Sequence, residues 1–221
     1  MIESFVPNAS TYGHEVDNLF SLITWVMGFW FLLGEGIFIY FIFKFRRKEG
    51  VKTIYLSGEK KEEKKHIKVA HFSLLACDVV LVIFAVLAWY HIKQELPAPD
   101  RTVKVISQQW AWTFVDPGKD NKLDTADDIT TIDELHVEVG KNYHYLLTSK
   151  DVLHSFFIPV FRLKQDALPG REITGWFNAT KTGTYDITCA EICGVGHGLM
   201  GGRIFIESSE DYRKWAEAHS L

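Results

Sequence analysis

Two long apolar runs constrain this chain more than any other feature. Leu19 to Phe43 spans 25 residues with one formal charge, Glu35. Ala70 to Tyr90 spans 21 residues, again with one, Asp78. A helix needs roughly 20 residues to cross the hydrocarbon of a bilayer. A soluble helix of this length would show a polar stripe, and neither run has one. The pair, separated by 26 residues, reads as a transmembrane hairpin rather than two buried core helices. Neither run reads as a cleaved signal peptide. The first starts too late, is too long and has no positive residue before it. The amino terminus offers no Cys for lipidation.

The connecting segment sets the orientation. Ten Lys and Arg residues lie between Lys44 and Lys68, and none precedes them. Short basic loops stay in the cytoplasm. Both chain ends, and everything after His91, are therefore expected outside. Trp89 and Tyr90 would anchor the outer interface. The expected location is a bacterial-type plasma or inner membrane, crossed twice. The formal net charge of −4 averages a basic inner loop with an acidic outer part. That balance argues against a nucleic-acid partner. Three Cys are too few for a disulfide scaffold.

Leu96 to Pro99 contains two prolines and reads as a stiff linker. The expected division is a hairpin over residues 1–95 and an outer domain over 96–221. The outer domain reads as β. Val103, Val105 and Ser107 alternate, then Trp110, Trp112 and Phe114 alternate in the other phase. The shift predicts a bulge or strand break near Gln108. Trp110 and Trp112, two apart, should face the same way. Further strands are expected over Leu135–Val139, Tyr143–Leu147, Thr184–Thr188 and Gly202–Glu207, with turn signals between them. Short strands in this number suggest a sandwich or barrel. Ser209 to His219 reads as a helix capped by Ser209. Asp116, Asp120, Asp124, Asp127, Asp128 and Asp133 crowd one loop over 116–133. It reads first as a solvated hairpin tip. A calcium site is the alternative, although the spacing does not fit an EF-hand.

The chemistry concentrates between Cys189 and Met200. Cys189, Cys193, His197 and Met200 place four soft-metal donors in twelve residues, and Glu191 lies among them. Gly194, Gly196 and Gly198 let the backbone wrap a small centre. His154, 35 residues before Cys189, is placed to close the site. Thiolate, imidazole and thioether together favour copper. A Cys189–Cys193 disulfide would leave His197 and Met200 unexplained. Zinc has little use for Met. A mononuclear blue-copper site needs one Cys, not two. The ligand count fits a dinuclear copper centre best. The motif for covalent haem is missing, so no haem is expected on this chain.

These residues, with Trp110, Trp112, His154, Ser155 and the stretch Lys164 to Arg171, resemble subunit II of haem-copper cytochrome c oxidases. The resemblance covers nearly the whole chain. It implies an all-β cupredoxin-like Greek-key sandwich or barrel after the two-helix hairpin. It implies that Cys189 and Cys193 bridge the two coppers of a CuA centre. His154 and Met200 would complete one copper, and His197 and the Glu191 carbonyl the other. The Glu191 side chain would reach a magnesium ion at the contact with subunit I. Trp110 would be where electrons arrive from cytochrome c. The implied partners are subunit I, other oxidase subunits, the bilayer, and cytochrome c or a membrane-tethered cytochrome c domain. The implied activity is electron delivery to haem in subunit I, for oxygen reduction coupled to proton translocation. A rigid site shared by two metals changes little on reduction, which favours fast electron transfer.

Some positions depart from the family pattern. The family's second helix usually starts with a Glu that helps load protons; here the corresponding stretch is His71 to Asp78. Glu35 and Asp78 are intramembrane acids, which are expensive and often functional. Cys77 reads as a small buried hydrophobe. His136 and His144 read as ordinary strand residues. A quinol-oxidase subunit would lack the copper ligands present here. A membrane-tethered copper carrier remains a different class of answer. Nitrous oxide reductase would need a further catalytic domain.

Overall fold

The computed structural model describes residues 5–52, 55 and 57–219. Two helices come first, α1 (Gly13–Lys44) and α2 (Lys61–Lys93). At about 1.5 Å per residue, the 32 residues of α1 extend about 48 Å. Both helices are long and apolar enough to cross a membrane, and no residue of either apolar window is buried. Leu, Ile, Val and Phe exposed all round a helix suit lipid and not water. Glu35 and Asp78 are exposed on these helices, and Cys77 is half-buried.

The chain divides into two compact units. One is Asn18–Trp89, which holds most of both helices. The other joins the chain up to Asp17 with the chain from Tyr90 onward. In this second unit ten strands form two five-stranded sheets. The strands are β1 (Arg101–Gln108), β2 (Ala111–Asp116), β3 (Ile129–Ile132), β4 (Glu134–Glu138) and β5 (Asn142–Ser149). They continue with β6 (His154–Ile158), β7 (Leu163–Ala167), β8 (Ile173–Asn178), β9 (Gly183–Cys189) and β10 (Gly201–Glu207). The helix α3 (Ser209–His219) follows. One sheet has the order β3-β2-β1-β5-β8 and the other β4-β10-β9-β6-β7. β1 runs parallel to β5, and β10 parallel to β4. The remaining pairs are antiparallel.

Alternation decides what lies between the sheets. Val103 and Val105 of β1, Trp112 and Phe114 of β2, and Tyr143, Tyr145 and Leu147 of β5 point inward. Leu135, Val137, Phe156, Ile187 and Ile204 meet them from the other sheet. Each large apolar side chain buried contributes about 1.5–3 kcal/mol. The result is the sandwich expected from the sequence.

The amino-terminal segment belongs to this β unit. The Ala9 N–H donates to the Val160 carbonyl at 2.8 Å, and the Thr180 N–H donates to the Ala9 carbonyl at 2.8 Å. Arg162 grips Asp17 through Nε at 2.7 Å and through its second amino group at 2.9 Å.

Two details differ from the sequence reading. The strand break expected near Gln108 takes the form of a hairpin turn: Gln108 pairs with Ala111, and Gln109–Trp110 is the two-residue loop. Trp110 and Trp112 therefore part company, the first exposed on the turn and the second fully buried on the strand. The α3 cap is Ser208, one residue earlier than expected. Its hydroxyl accepts from the Asp211 N–H at 3.2 Å, whereas Ser209 turns to Glu138.

The acidic residues of 116–133 have separate jobs. Asp116 is buried, held by Arg101 at 3.2 Å and the Tyr212 hydroxyl at 2.5 Å. Asp127 accepts the Lys119 and Asp120 N–H groups, and Asp128 accepts that of Asp124. Asp133 accepts the Trp112 N–H at 2.7 Å.

Candidate metal centre

The end of β9 and the start of β10 leave an eleven-residue connection beside the start of β6. That connection is held as a closed loop. The Cys189 N–H donates to the Met200 carbonyl at 3.1 Å, and the Ala190 N–H donates to the Ser155 carbonyl at 3.0 Å. A short 3-10 turn over His197–Leu199 brings the chain back to β10. β9 delivers Cys189, β6 delivers His154, and the loop supplies the rest.

The donors converge. Cys189 Sγ lies 3.8 Å from Cys193 Sγ. His154 Nδ1 is 3.9 Å from Cys189 Sγ and 3.1 Å from Met200 Sδ. His197 Nδ1 is 3.7 Å from Cys193 Sγ. Met200 Sδ is 3.8 Å from Cys193 Sγ, and the Glu191 carbonyl oxygen is 3.2 Å from Cys189 Sγ. Ligands about 2.0–2.3 Å from a shared tetrahedral metal lie roughly 3.3–3.8 Å apart. The spacings of Cys193 Sγ to Cys189, His197 and Met200 fall in that range, and both Cys are free thiols. His154, Cys193 and Met200 are buried, and His197 is half-buried at the loop surface. The cage therefore has a dry inner side and one imidazole toward the outside.

A dry cage disfavours two adjacent thiolates without a cation. Burial first, and then the neighbouring Cys189, push the Cys193 thiol up to about 11. The soft donor set, two thiols with one imidazole beside each, fits copper.

One important residue was overlooked in the sequence: Asp151. Its Oδ1 accepts from His154 Nε2 at 2.8 Å, which leaves Nδ1 free to face the sulfurs. Oδ1 also accepts the Val152 N–H at 2.6 Å, and Oδ2 accepts the Gln109 N–H at 2.6 Å. Burial opposes its ionisation, but the hydrogen bonds from His154 and those two N–H groups outweigh it and hold the carboxyl at about 2. The available signal was its position three residues before a ligand-type His at a strand start. A carboxylate behind a ligand imidazole is a recurring arrangement.

The other predicted residues fall around this centre. Trp110 sits on the β1–β2 turn against the ligand loop, half-exposed. Trp112 packs edge-on to His154 with ring centroids 6.3 Å apart. The Glu191 carboxylate meets Lys164 Nζ at 3.0 Å, and Lys164 also meets Asp166 at 3.1 Å. Hydrogen bonds donated to Glu191 and Asp166 raise the Lys164 amine above its ordinary range. His136 and His144 lie elsewhere. His136 is stacked between Phe205 and Trp215, and His144 Nε2 meets the Pro97 carbonyl at 2.7 Å.

Fold and site together define a class: a two-sheet β domain carrying a soft-donor metal cage, on a chain with two membrane-length helices. Residues 101–208 match the family model of the cytochrome c oxidase subunit II periplasmic domain. The chain is 32% identical over 238 residues to the alternative cytochrome c oxidase subunit 2 of Bradyrhizobium diazoefficiens, covering 96% of this chain and 83% of that one. It is 44% identical over 118 residues to cytochrome c oxidase subunit 2 of Thermostichus vulcanus, covering 53% of this chain and 33% of that one. The solved periplasmic domain of subunit II of cytochrome oxidase of Bradyrhizobium japonicum aligns at 31% identity and a TM-score of 0.49, covering 57% of this chain and 96% of that one. The chain belongs to the cytochrome c oxidase subunit II family. It is a subunit of an oxidoreductase complex, and copper and electron transport go with that family.

Proposed function

We propose that this chain is the electron-accepting subunit of a cytochrome c oxidase, and that Cys189, Cys193, His154, His197, Met200 and the Glu191 carbonyl hold two copper ions. Copper bound there supplies a one-electron couple between cytochrome c outside and the haem of subunit I, where oxygen is reduced and protons are translocated. The convergence of the six donors carries this reading, with one imidazole beside each thiol. His154 pairs with Met200 at 3.1 Å, in keeping with the two as ligands of one metal.

The chain's own residues have further parts. Cys189 and Cys193 give up their protons on loading, and Asp151 holds His154 in the tautomer that presents Nδ1. Trp110 receives electrons at the surface. The Glu191 carboxylate, which meets Lys164, would help hold a magnesium ion at the contact with subunit I. Ile192, Val195 and Leu199 are almost wholly exposed on the ligand loop. Apolar groups left bare in this way support a surface that a partner covers. The two helices, within Asn18–Trp89, anchor the β unit, with both termini and the copper domain outside. The basic segment from Lys44 to Lys68 supports that orientation.

The test is copper analysis of the purified chain with its visible spectrum. Two coppers per chain and a purple mixed-valence spectrum are expected, with both lost in Cys189→Ser. One copper per chain would overturn the dinuclear reading. Ready surrender of copper to a mild chelator would favour a copper carrier instead.

A further inference from the structure

Trp110 does not simply lie near the ligand loop; the loop is shaped to receive it. A Cβ built on Gly196 would stand 2.4 Å from Cδ2, 2.7 Å from Cγ and 2.9 Å from Cε2 of the Trp110 indole. Contacts between carbons settle at about 3.5–4.0 Å, so the ring occupies the space a side chain would need. A Cβ on Gly194 would stand 3.2 Å from Cζ2 and 3.3 Å from Nε1 of the same ring, and 2.9 Å from Gln109 Nε2. The indole thus rests over both glycines, its fused bond over Gly196 and its Nε1–Cζ2 side over Gly194.

The two glycines are needed for different reasons. Gly194 has φ +129, a conformation that other residues adopt only under strain. Gly196 has φ −88 and ψ 7, which other residues can adopt. Its lack of a side chain is therefore a matter of space alone. Gly198, on the other side of His197, has nothing within 4 Å of its would-be Cβ. Two hydrogen bonds fix the turn over this seat. Gln109 Nε2 donates to the Cys193 carbonyl at 2.6 Å, and the Gln109 N–H donates to Asp151 at 2.6 Å.

We propose that Gly196, with Gly194, is a positioning residue for electron uptake: it seats the Trp110 indole flat on the ligand loop between the two ligands Cys193 and His197. This rests on the reading of Trp110 as the point where electrons arrive. Trp110 is 40% exposed, so one face meets the seat while the rest stays open to a donor. A methyl group at 196 lifts the ring from the loop without touching the donor-facing side.

The test uses Gly196→Ala, with Gly198→Ala as a control equally close to His197. In the metal-free full-length chain in detergent, the Trp110 fluorescence is obtained by subtracting each variant's Trp110→Phe counterpart. Acrylamide quenching of that signal should rise about twofold in Gly196→Ala and match the parent in Gly198→Ala. In the purified oxidase, Gly196→Ala should keep the copper spectrum and slow electron uptake from cytochrome c roughly tenfold, as misplacement of a reacting group does. In a Trp110→Leu background, Gly196→Ala should slow uptake no further. Unchanged quenching in Gly196→Ala overturns the seat. So does an equal slowing with and without Trp110, because the substitution would then act through His197. If Trp110→Leu alone leaves uptake intact, the role of Trp110 falls, while the quenching result still judges the seat.

Discussion

Asp151→Asn should raise the reduction potential of the centre and weaken copper binding. The carboxylate accepts His154 Nε2–H at 2.8 Å, and His154 is wholly shielded from solvent. Asn keeps the size and one acceptor oxygen, so the ring need not move. What it removes is the charge behind the imidazole. A hydrogen bond to a charged group is worth about 1.5–3 kcal/mol, against about 0.5–1.5 for a neutral one. The loss is thus about 1–1.5 kcal/mol, felt most when the centre carries its extra positive charge. With about 1.4 kcal/mol per tenfold and about 59 mV per tenfold for one electron, the potential should rise by about 40–60 mV. Copper affinity should fall about tenfold, in the range known for residues behind metal ligands. Asn also cannot accept the Gln109 N–H with its amide nitrogen, so part of the Trp110 turn loosens. The assay is a redox titration followed by absorbance, beside a copper competition titration. A potential that stays put or falls, in a variant that still binds two coppers, would refute the reasoning.

Three further expectations concern stability. Arg162→Ala leaves the mostly buried Asp17 without its guanidinium partner, and also releases the Val6 carbonyl held at 2.9 Å. Removing one member of such a pair costs about 3–5 kcal/mol, and limited proteolysis should cut the amino-terminal segment first. In Gly175→Ala the new Cβ would meet Tyr145 Oη at 2.1 Å and Cζ at 2.2 Å inside the sandwich. Overpacking of this kind costs about 1–3 kcal/mol, which thermal melting should read. His136, pressed between Phe205 and Trp215 at 4.5 and 4.2 Å, is lowered by burial from 6.5 to about 4. Glu134, Glu207, Asp116 and His219 act on it as well, and Glu207 is itself raised by burial and then by Asp211. Between those two values the unfolded chain binds the His136 proton and the folded chain does not. Acidification from pH 6.5 to 4 should therefore weaken folding, by about 1–2 kcal/mol after discounting for solvent screening. Denaturant midpoints across that range check it, and His136→Phe should flatten the slope.

Much of this molecule could be read from the chain alone. The helices announced themselves because lipid demands an unbroken apolar surface about 20 residues long. That property depends on composition and not on neighbours. The ligand loop was legible for a similar reason. Cys189, Glu191, Cys193, His197 and Met200 lie so close in sequence that few folds could separate them. Strand alternation gave the inward faces of β1, β2 and β5, since a pleat fixes which side each residue takes.

What the chain could not disclose came from contacts between distant segments. Alternation placed Trp110 and Trp112 on one face, but a two-residue turn ends the alternation at Gln109 and turns one ring outward. Nothing local marks the segment before Asp17 as part of the β unit; Arg162 and Val160, far along the chain, hold it there. Asp151 was a polar residue in a loop until His154 Nε2 and the Gln109 N–H were found converging on it. Gly196 read as one of three glycines that let the loop wrap a small centre, yet its φ of −88 does not require glycine, and its role is to leave room for an indole from 86 positions earlier. Sequence determines which donors and which apolar lengths exist, because those are properties of residues and their spacing. Only the tertiary structure decides which carboxylate backs a ligand and which glycine is empty space, because those depend on what arrives from elsewhere in the chain.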